Sequence, residues 1–330
     1  MAAEQQPDLA TAADQVLAVD IGGTKMAAAL VDAHGITRCV NRIPTVPGGD
    51  AEELYDALDA LLDTVLEQGA APPLVGVGIG CGGPMQWPSG VISPLNIPGW
   101  QGFPLRERLS DRFTDLPVRI HNDAIAVAAA EHWKGAGQGI DHLLGMVVST
   151  GVGGGLVLGG RVVNGRSGNA GHIGHVIVDP DGPPCVCGAR GCLEAIARGP
   201  ALAAWAYEQG WRAETGGTGR DLAEDARAGN DIAIAAFARA GRALGIAIAS
   251  AIALTDLELV SIGGGVSDAG PLVFDPLRET LDRYTGLPFT KVAQVIPATM
   301  GQEAGLVGAA AFIHAAETYW TPTAAEAAAQ

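Results

Sequence analysis

The regular structure of the chain is predicted to begin with two apolar runs on either side of a glycine pair. Val16 to Asp20 is a short apolar run, Gly22 and Gly23 interrupt it, and residues 25–31 resume it. Two such runs around a tight glycine turn predict a hairpin of two buried strands. A third strand is expected over residues 36–43.

A helix and further strands follow the hairpin. Between residues 50 and 68, apolar residues recur at helical intervals, and Asp50 is the expected N-cap. Residues 74–80 and 118–121 are short apolar runs that predict buried strands, and residues 123–133 predict a helix. This alternation of strands and helices predicts an α/β fold.

The plan of the first hairpin recurs later in the chain. A strand over 143–149, a glycine-rich turn through Gly155 and a strand over 156–163 form a weak internal repeat of it. Residues 201–254 then predict mostly alanine-rich helix, followed by a strand over 257–262. The repeat predicts two related lobes.

The expected domain ranges follow from this repeat. A small α/β lobe is predicted over 16–123 and a large one over 124–302, and a last helix, about 303–317, is expected to pack back on the small lobe. Residues 1–15 lack apolar periodicity, and residues 321–330 are rich in alanine and glutamate. We expect these ends to be a disordered leader and a tail.

Composition excludes several classes of partner. Hydrophobic residues make up 48% of the 330 positions and charged residues 17%, so the chain can bury enough apolar surface to fold. The net charge of −16 disfavours nucleic acid, whose binding depends on Lys and Arg. No run approaches the ~18 apolar residues of a membrane span, and the acidic leader is unlike a signal peptide. We therefore expect a cytoplasmic protein that binds a small metabolite.

One cysteine-rich segment has the spacing of a metal site. His175, Cys185, Cys187 and Cys192 are spaced His-x9-Cys-x-Cys-x4-Cys, and one imidazole with three thiolates fills the coordination sphere of a structural zinc ion. The alternatives are a disulfide pair, or small buried thiols beside an unrelated histidine. Pairing would leave one of the three cysteines over, and the glycines and prolines of the segment are typical of a metal-binding loop. Residues 175–192 are therefore predicted to be a zinc loop.

Two glycine turns with polar residues at their entry predict phosphate binding. The first comprises Asp20, Gly22, Gly23, Thr24 and Lys25, and the second begins with Ser149, Thr150 and Gly151. Glycines let backbone N–H groups approach phosphate oxygens, and a carboxylate at a strand end can hold water on Mg²⁺. Each turn alone could be an ordinary hairpin turn. Two of them, each after a buried strand, predict a polyphosphate gripped from both sides of a cleft.

A third glycine cluster follows the strand predicted over 257–262. Gly263, Gly264 and Gly265 lie between that strand and Ser267, where flat backbone could face a nucleoside. The alternative is an ordinary loop. In the first case Gly264 and Gly265 are the contact residues.

Asn122 and Asp123 lie between a predicted strand and a predicted helix. One interpretation makes Asp123 the helix N-cap, a role worth about 1 kcal/mol. The other makes it a general base that takes the proton of an alcohol as the alcohol attacks a γ-phosphoryl group. The two roles are compatible.

The order of these motifs resembles that of the ROK family of sugar kinases and repressors. The motifs are Asp20-Ile-Gly-Gly-Thr-Lys25, Asn122-Asp123-Ala124, Ser149-Thr-Gly-Val-Gly-Gly-Gly155, Gly171-His-Ile-Gly-His175, Cys185-Val-Cys-Gly-Ala-Arg-Gly-Cys192 and Glu194-Ala195. They span about residues 16–316. The resemblance implies a two-lobed α/β fold of the actin, Hsp70 and hexokinase type (ribonuclease H-like), with an interlobe cleft and a structural zinc loop. It also implies a homodimer or homotetramer.

The activity that the resemblance implies is transfer of the γ-phosphoryl group of ATP to a sugar hydroxyl, typically O6, with Asp123 as the base. The implied sugar contacts are Gly83, Asn96, Asn122, Asp123, His172, His175 and Glu194. The implied surroundings of the nucleotide and Mg²⁺ are Asp20, Gly22, Gly23, Thr24, Lys25, Thr150, Gly151, Gly264 and Gly265. His175 would bind zinc through one ring nitrogen and a sugar hydroxyl through the other.

His172 departs from the commonest pattern of the family. Glucokinase-like members carry glutamate where this chain has His172, and the histidine resembles bacterial N-acetylmannosamine kinases. A neutral imidazole offers one donor and one acceptor, so it could donate to the carbonyl of an N-acetyl group. Alternatively, His172 only fills space near the site. N-acetylmannosamine or glucose is the expected substrate, and a sugar-like C7 cyclitol is the alternative.

A sugar-responsive transcriptional repressor is the hypothesis of another class. Repressors of the family carry a helix-turn-helix region before the first glycine turn. Fifteen residues precede Val16, too few for a three-helix DNA reader, and the acidic charge disfavours DNA. The sequence therefore favours the kinase.

Overall fold

The protein divides into two compact units. The structure, a computed structural model, describes residues 14–46, 48–69, 73–214 and 216–320. Unit 1 comprises the described residues up to Ala126, residues 165–169 and those from Glu303 onward, and unit 2 comprises residues 127–164 and 170–302. The predicted domain ranges differ in two places, because residues 124–126 and 165–169 belong to unit 1.

Strands and helices alternate along the chain. The strands are β1 (Gln15–Ile21), β2 (Lys25–Val31), β3 (Thr37–Pro44), β4 (Leu74–Cys81), β5 (Met85–Gln86), β6 (Val91–Ile92), β7 (Val118–Asn122), β8 (Leu143–Val148), β9 (Val152–Leu158), β10 (Arg161–Val162), β11 (Leu259–Gly263) and β12 (Gln294–Pro297). The α-helices are α1 (Ala51–Gly69), α2 (Leu105–Arg112), α3 (Asp123–Lys134), α4 (Leu193–Ala197), α5 (Gly199–Glu208), α6 (Gly219–Arg227), α7 (Asp231–Thr255), α8 (Pro271–Tyr284), α9 (Ala304–His314) and α10 (Ala316–Tyr319).

The first strand begins within the segment that was predicted to be a disordered leader. Residues 1–13 and 321–330 lie outside the described residues. Gln15, which the leader was predicted to include, is already the first residue of β1 and is buried. Strand pairing with β4 at this position explains the earlier start.

Unit 1 is built on a mixed five-stranded sheet in the order β3-β2-β1-β4-β7. The hairpin β1–β2 is antiparallel, whereas β1, β4 and β7 run parallel. The helix α1 packs on β2 and β3 through leucines at helical spacing, among them Leu54, Leu58 and Leu62, which are fully buried. Because parallel strands end at one edge, the residues that follow β1, β4 and β7 come together there.

The helix α9 lies on β1 and β4 at backbone contact. A Cβ built at Gly78 of β4 would overlap the carbonyl oxygen of Ala309, and one at Gly308 would overlap that of Ala126 in α3. No side chain fits at either position without a backbone shift. These two glycines therefore determine how closely α9 approaches the strands and the start of α3.

Unit 2 has a second mixed sheet, in the order β10-β9-β8-β11-β12. The hairpin β8–β9 is antiparallel, and β11 pairs parallel to both β8 and β12. The helix α7 packs along α8 in the core of the unit. It is long and apolar enough to cross a membrane, but 61% of its most apolar window is buried inside the structure, as in a core helix.

One predicted turn is shorter than expected. The glycine-rich turn was predicted to extend through Gly155, but residues 152–155 belong to β9 and pair with β8. Their physical role is close packing, because a Cβ at Gly154 would lie 2.9 Å from the carbonyl oxygen of Gly171. The strand predicted over 156–163 is accordingly divided between β9 and the short β10.

Gly308→Ala should destabilise unit 1. The new methyl group would overlap the backbone of Ala126, and such overpacking typically costs about 1–3 kcal/mol, more than the ~1 kcal/mol gained in helix propensity. Urea unfolding measures the difference. The matched control is Gly286→Ala, whose Cβ would have no atom within 4 Å and should change the free energy of unfolding by less than ~0.5 kcal/mol. Equal midpoints for both variants would contradict the packing of α9 described above.

Candidate active site

Two carboxylates lie together at the carboxyl edge of the unit 1 sheet. Asp20 is the next-to-last residue of β1 and pairs with Gly80 of β4, and Asp123 directly follows β7 on the other side of that strand. A Cβ at Gly80 would lie 3.6 Å from the Cα of Asp123 and 3.8 Å from Oδ1 of Asp20. The parallel register of three strands thus creates an acidic pair that is far apart in sequence.

The surroundings of this pair favour the protonated acids. Burial, and secondly the charge of Asp123, raise the pKa of Asp20 to about 6, against the opposing charges of Lys25 and Arg42. Burial also raises the pKa of Asp123, and hydrogen bonds from the backbone, chiefly from Ala124, oppose this rise. Each carboxylate is therefore a stronger base than an exposed aspartate.

Asn122 and Asp123 have different positions at the start of α3. The helix begins at Asp123, and Oδ1 of Asn122, the residue before it, accepts the N–H of Ala124 at 3.0 Å. Asn122 is thus the N-cap, which corrects the interpretation that placed Asp123 there. Oδ1 of Asp123 also accepts this N–H, at 2.8 Å. Its Oδ2 lies on the side of Gly82, where a Cβ would be 3.8 Å away.

Asn96 lies between the first glycine turn and Asp123. A Cβ at Gly23 would lie 2.5 Å from Cγ of Asn96, and one at Gly82 would lie 3.5 Å from its Oδ1. The side chain therefore covers Gly23 and reaches the same space as Oδ2 of Asp123. Asn96 is exposed, so a ligand can reach it.

The first glycine turn is closed by backbone hydrogen bonds and by Thr45. The N–H of Gly22 donates to the carbonyl of Lys25 at 2.9 Å. Thr45 donates its hydroxyl to the carbonyl of Gly22 at 2.7 Å and its N–H to that of Thr24 at 3.1 Å. The side chains of Thr24 and Lys25 stay exposed, and the sequence carried no motif at Thr45.

Gly305 leaves room for the Asp20 side chain. A Cβ at Gly305, in the first turn of α9, would lie 2.5 Å from Cγ of Asp20. The glycine therefore lets the helix backbone lie against the carboxylate. No sequence motif marks this residue.

Gly83 faces two asparagine side chains. A Cβ there would lie 2.8 Å from Nδ2 of Asn122 and 3.6 Å from Oδ1 of Asn169. Nδ2 of Asn169 donates to the carbonyls of Met85 and Ser167, which fixes the orientation of its amide. Oδ1 of Asn169 is buried and accepts no hydrogen bond from the described residues.

In unit 2, the second glycine turn joins β8 to β9. The N–H of Ser149 donates to the carbonyl of Gly151 at 2.8 Å, and Thr150 at the tip is exposed. Oε2 of Glu194 accepts the N–H of Val152 at 2.9 Å. The N–H of Gly199 donates to the carbonyl of Ser149 at 2.8 Å. The turn is therefore held by Glu194 of α4 and by Gly199, the first residue of α5.

The third glycine cluster packs beside this turn. The N–H of Val266 donates to the carbonyl of Val148 at 3.0 Å. Gly264 has φ +91° and lies flat on the backbone of Val148, where a side chain would clash. Gly265 has open space around its Cβ position. Flat, accessible backbone thus borders the residues that lead into the second turn.

The four predicted metal ligands converge. One ligand atom each from His175, Cys185, Cys187 and Cys192 lies within 4.8 Å of the others. Sγ of Cys187 is 3.7 Å from Sγ of Cys192, and Sγ of Cys185 is 3.8 Å from Nδ1 of His175. Zn–S bonds of about 2.3 Å and Zn–N bonds of about 2.0 Å require edges of about 3.6–3.8 Å between tetrahedral ligands, so the donor set fits zinc.

The disulfide interpretation does not hold. All five cysteines of the chain are free. Burial and the neighbouring thiols raise the pKa of Cys192 to about 12. A bound cation would favour the thiolate forms, which are the ligands of a metal site.

The ring of His172 lies against that of His175. Their rings stack with centroids 4.8 Å apart. Burial, then the charge of His175, lower the pKa of His172, and Glu194 opposes them. Its imidazole is therefore neutral at physiological pH and offers one donor and one acceptor.

Each unit groups its own set of predicted residues. Unit 1 holds Asp20, Gly22, Gly23, Thr24, Lys25, Gly83, Asn96, Asn122 and Asp123. Unit 2 holds Thr150, Gly151, His172, His175, Cys185, Cys187, Cys192, Glu194, Gly264 and Gly265. The sequence missed Thr45, Asn169 and Gly305, because each acts through a contact with a distant part of the chain.

Comparison with known proteins decides the family. The model of the ROK family matches residues 16–316. The chain belongs to the ROK family. Among its ROK relatives, the chain is 35% identical over 313 residues to a glucokinase of Thermotoga maritima, covering 91% of this chain and 97% of the relative. It is 38% identical over 302 residues to an N-acetylmannosamine kinase of Escherichia coli, covering 89% and 96%.

A solved ROK structure has the same fold. The glucokinase of Streptomyces griseus in complex with glucose and AMPPNP is 35% identical and aligns with a TM-score of 0.79 over 91% of this chain and 99% of that one. The predicted family, the two-lobed α/β sugar kinase fold and the enzyme class, an ATP-dependent carbohydrate kinase, are confirmed.

The pKa of Asp20 should make stability depend on pH. The pKa of Asp20 is about 6 in the folded protein and an ordinary 3.8 in the unfolded chain. Its contribution to the free energy of unfolding is therefore fully present below about pH 4 and is lost as pH rises through 6. Asp20→Asn does not titrate. Measured by urea unfolding, the free energy of unfolding of the variant should rise relative to that of the wild type by up to about 3 kcal/mol between pH 4 and pH 7. A difference that is constant with pH would contradict the buried acidic pair.

Proposed function

We propose that the chain transfers the γ-phosphoryl group of ATP to a hydroxyl, O6, of a hexose or N-acetylhexosamine. One observation carries the proposal. Asp123, beside the partly buried Asp20, turns Oδ2 toward the space that Asn96 shares with the first glycine turn. The proposed base, a proposed sugar contact and the proposed phosphate turn therefore border the same part of unit 1.

Asp123 is proposed as the general base. Its Oδ1 is held by the N–H of Ala124, which fixes the carboxylate and leaves Oδ2 for the substrate. As the sugar oxygen bonds to the γ-phosphorus, its proton passes to Oδ2, the bond from phosphorus to the bridging oxygen breaks, and ADP leaves. The raised pKa of Asp123 strengthens it as a base for this step.

Both glycine turns are proposed to hold the nucleotide. Gly22, Gly23, Thr24 and Lys25 offer backbone N–H groups, a hydroxyl and an ammonium to phosphate oxygens, and Thr150 and Gly151 do so in unit 2. Gly264 and Gly265 offer flat backbone to the nucleoside. Asp20 is the oxygen ligand for Mg²⁺, directly or through water, and a cation there would offset the crowding of two acids. Bound Mg²⁺ would neutralise charge on the phosphates.

The proposed sugar contacts are those that the family resemblance implies. They are Gly83, Asn96, Asn122, Asp123, His172, His175 and Glu194. The neutral His172 can donate to an acetamido carbonyl, which favours N-acetylmannosamine, and the N-acetylmannosamine kinase among the relatives supports this choice. Glucose is the alternative that the glucokinase relatives support, and a C7 cyclitol is the third.

Zinc is proposed as a structural ion held by His175, Cys185, Cys187 and Cys192. Its chemistry is to cross-link the loop, without an open position for substrate. Nδ1 of His175 faces Cys185, so the other nitrogen remains for a sugar hydroxyl. We further propose a homodimer or homotetramer in the cytoplasm, where the thiols stay reduced.

The function is tested by ADP release in a coupled assay with glucose, mannose, N-acetylmannosamine, N-acetylglucosamine, allose and a C7 cyclitol. N-acetylmannosamine should give the highest kcat/KM. Asp123→Asn should lower kcat at least ~10²-fold while sugar binding is largely kept, because only proton transfer is lost. The matched control, Asp115→Asn, changes an exposed aspartate outside the site and should leave kcat unchanged.

Two results would count against this proposal. If none of the compounds stimulates ADP release, the substrate class is wrong. If Asp123→Asn turns over at the wild-type rate, another group is the base.

Metal analysis of the purified protein should give about one zinc per chain. Cys192→Ser should lose this zinc and melt at a lower temperature, since one of four ligands is gone. Cys39→Ser, which changes a cysteine outside the cluster, should retain it. A metal-free wild-type protein that is folded and active would refute the zinc loop.

A further inference from the structure

The short helix α4 connects the proposed sugar side of unit 2 to its proposed nucleotide turn. At its start, Oε2 of Glu194 accepts the N–H of Val152 at 2.9 Å. After its end, the N–H of Gly199 donates to the carbonyl of Ser149 at 2.8 Å. Both residues that flank Thr150 and Gly151 are therefore bonded to residues 194–199, the segment that runs from α4 to the first residue of α5.

The zinc loop anchors the same helix from the other side. Cys192 is the N-cap residue of α4 and is fully buried, and the N–H of Leu193 donates to the carbonyl of Val176 at 2.9 Å. Cys192 also forms a β-bridge with Ile177. The position of Glu194 is thus determined by the loop, which leaves the helix little freedom to move independently.

Glu194 fits closely against the turn. A Cβ at Gly151 would lie 3.0 Å from its Oε2, and a Cβ at Gly174 would overlap the carbonyl of Val152. Its charge also acts on His172. A carboxylate has two oxygens, and among the described residues Oε1 accepts no hydrogen bond. One oxygen holds the turn, and the other is left for a sugar hydroxyl.

We propose that Glu194 is a positioning residue for the nucleotide turn as well as a sugar contact, so that sugar and nucleotide binding are coupled through its carboxylate. The proposal rests on the proposed function, because it takes the turn as a phosphate site and Glu194 as a sugar contact. When a sugar hydroxyl bonds to Oε1, the carboxylate is held more rigidly and the Val152 N–H with it. Such coupling is reciprocal: whatever factor the sugar adds to nucleotide affinity, the nucleotide adds to sugar affinity.

The test is calorimetric titration of AMPPNP with Mg²⁺ in the absence of sugar. Glu194→Ala leaves the Val152 N–H without its charged acceptor, so the Kd of AMPPNP should rise at least about tenfold. Glu194→Gln retains an acceptor oxygen at the same place, so its Kd should stay within about threefold of the wild type. A glutamate that only contacts sugar would leave both values unchanged.

The matched control is His172→Ala. His172 is also a proposed sugar contact, but its ring stacks on His175 and makes no hydrogen bond to the turn in the described residues. Its Kd for AMPPNP without sugar should stay within about twofold, and its sugar binding should weaken. Zinc content and thermal unfolding of each variant check that the loop is intact. Should Glu194→Ala not fold, Glu194→Asp, whose carboxylate is one methylene shorter, carries the same expectation.

The outcomes separate this inference from the proposed function. Unchanged AMPPNP affinity in Glu194→Ala would overturn it, and so would an equal loss in His172→Ala. A wild type that does not bind AMPPNP would overturn the phosphate turn and this inference together. The predicted pattern of affinities in a protein that phosphorylates none of the sugars would uphold the role of Glu194 at the turn and refute the substrate class.

Discussion

Close backbone packing at glycine is the constraint on which the rest of unit 1 depends. Because Gly78 and Gly308 carry no side chains, α9 lies directly on β4 and on the start of α3, and Gly305 then meets the Asp20 carboxylate. Burial under this helix, together with the neighbouring Asp123, raises the pKa of Asp20. The packing of a helix far from any motif thus determines the electrostatics of the candidate site.

In unit 2, hydrogen bonds and a cysteine-rich loop fix the glycine turn, in place of a closely packed helix. The turn is held by the Glu194 carboxylate of α4 and by the backbone N–H of Gly199, the first residue of α5. Cys192 of the cysteine cluster is the N-cap residue of α4. The proposed zinc ion would make this loop rigid without a large core of its own. The two units therefore contain similar hairpins, but a covering helix packs on the first and the segment around α4 holds the second.

Much of the fold and part of the site could be read from the sequence. Local patterns were sufficient for the strands, the helix α1 and the cysteine spacing, because each is encoded within a few residues of itself. The sequence misjudged the glycines of β9, which are strand residues made small by the packing of residues 171–173. It also placed the N-cap of α3 at Asp123, one residue after the observed cap Asn122, since both residue types cap helices well. Gly305 and Asn169 act across the fold, where single-sequence patterns carry no information.

The stacked pair His172 and His175 has a consequence for how substrate range can diverge. His175 contacts the cysteine cluster, and Glu194 accepts a hydrogen bond from the backbone of Val152. Substituting either residue would therefore disturb the cluster or the glycine turn as well as the proposed sugar contact. In the part of the chain that the structure describes, the imidazole of His172 is held by ring stacking and burial, without a hydrogen bond. Among the three proposed sugar contacts of unit 2, it is therefore the residue that can be varied with the least disturbance of the surrounding structure. If its proposed role holds, a library restricted to this residue would sample new acceptors without altering the cysteine cluster or the glycine turn.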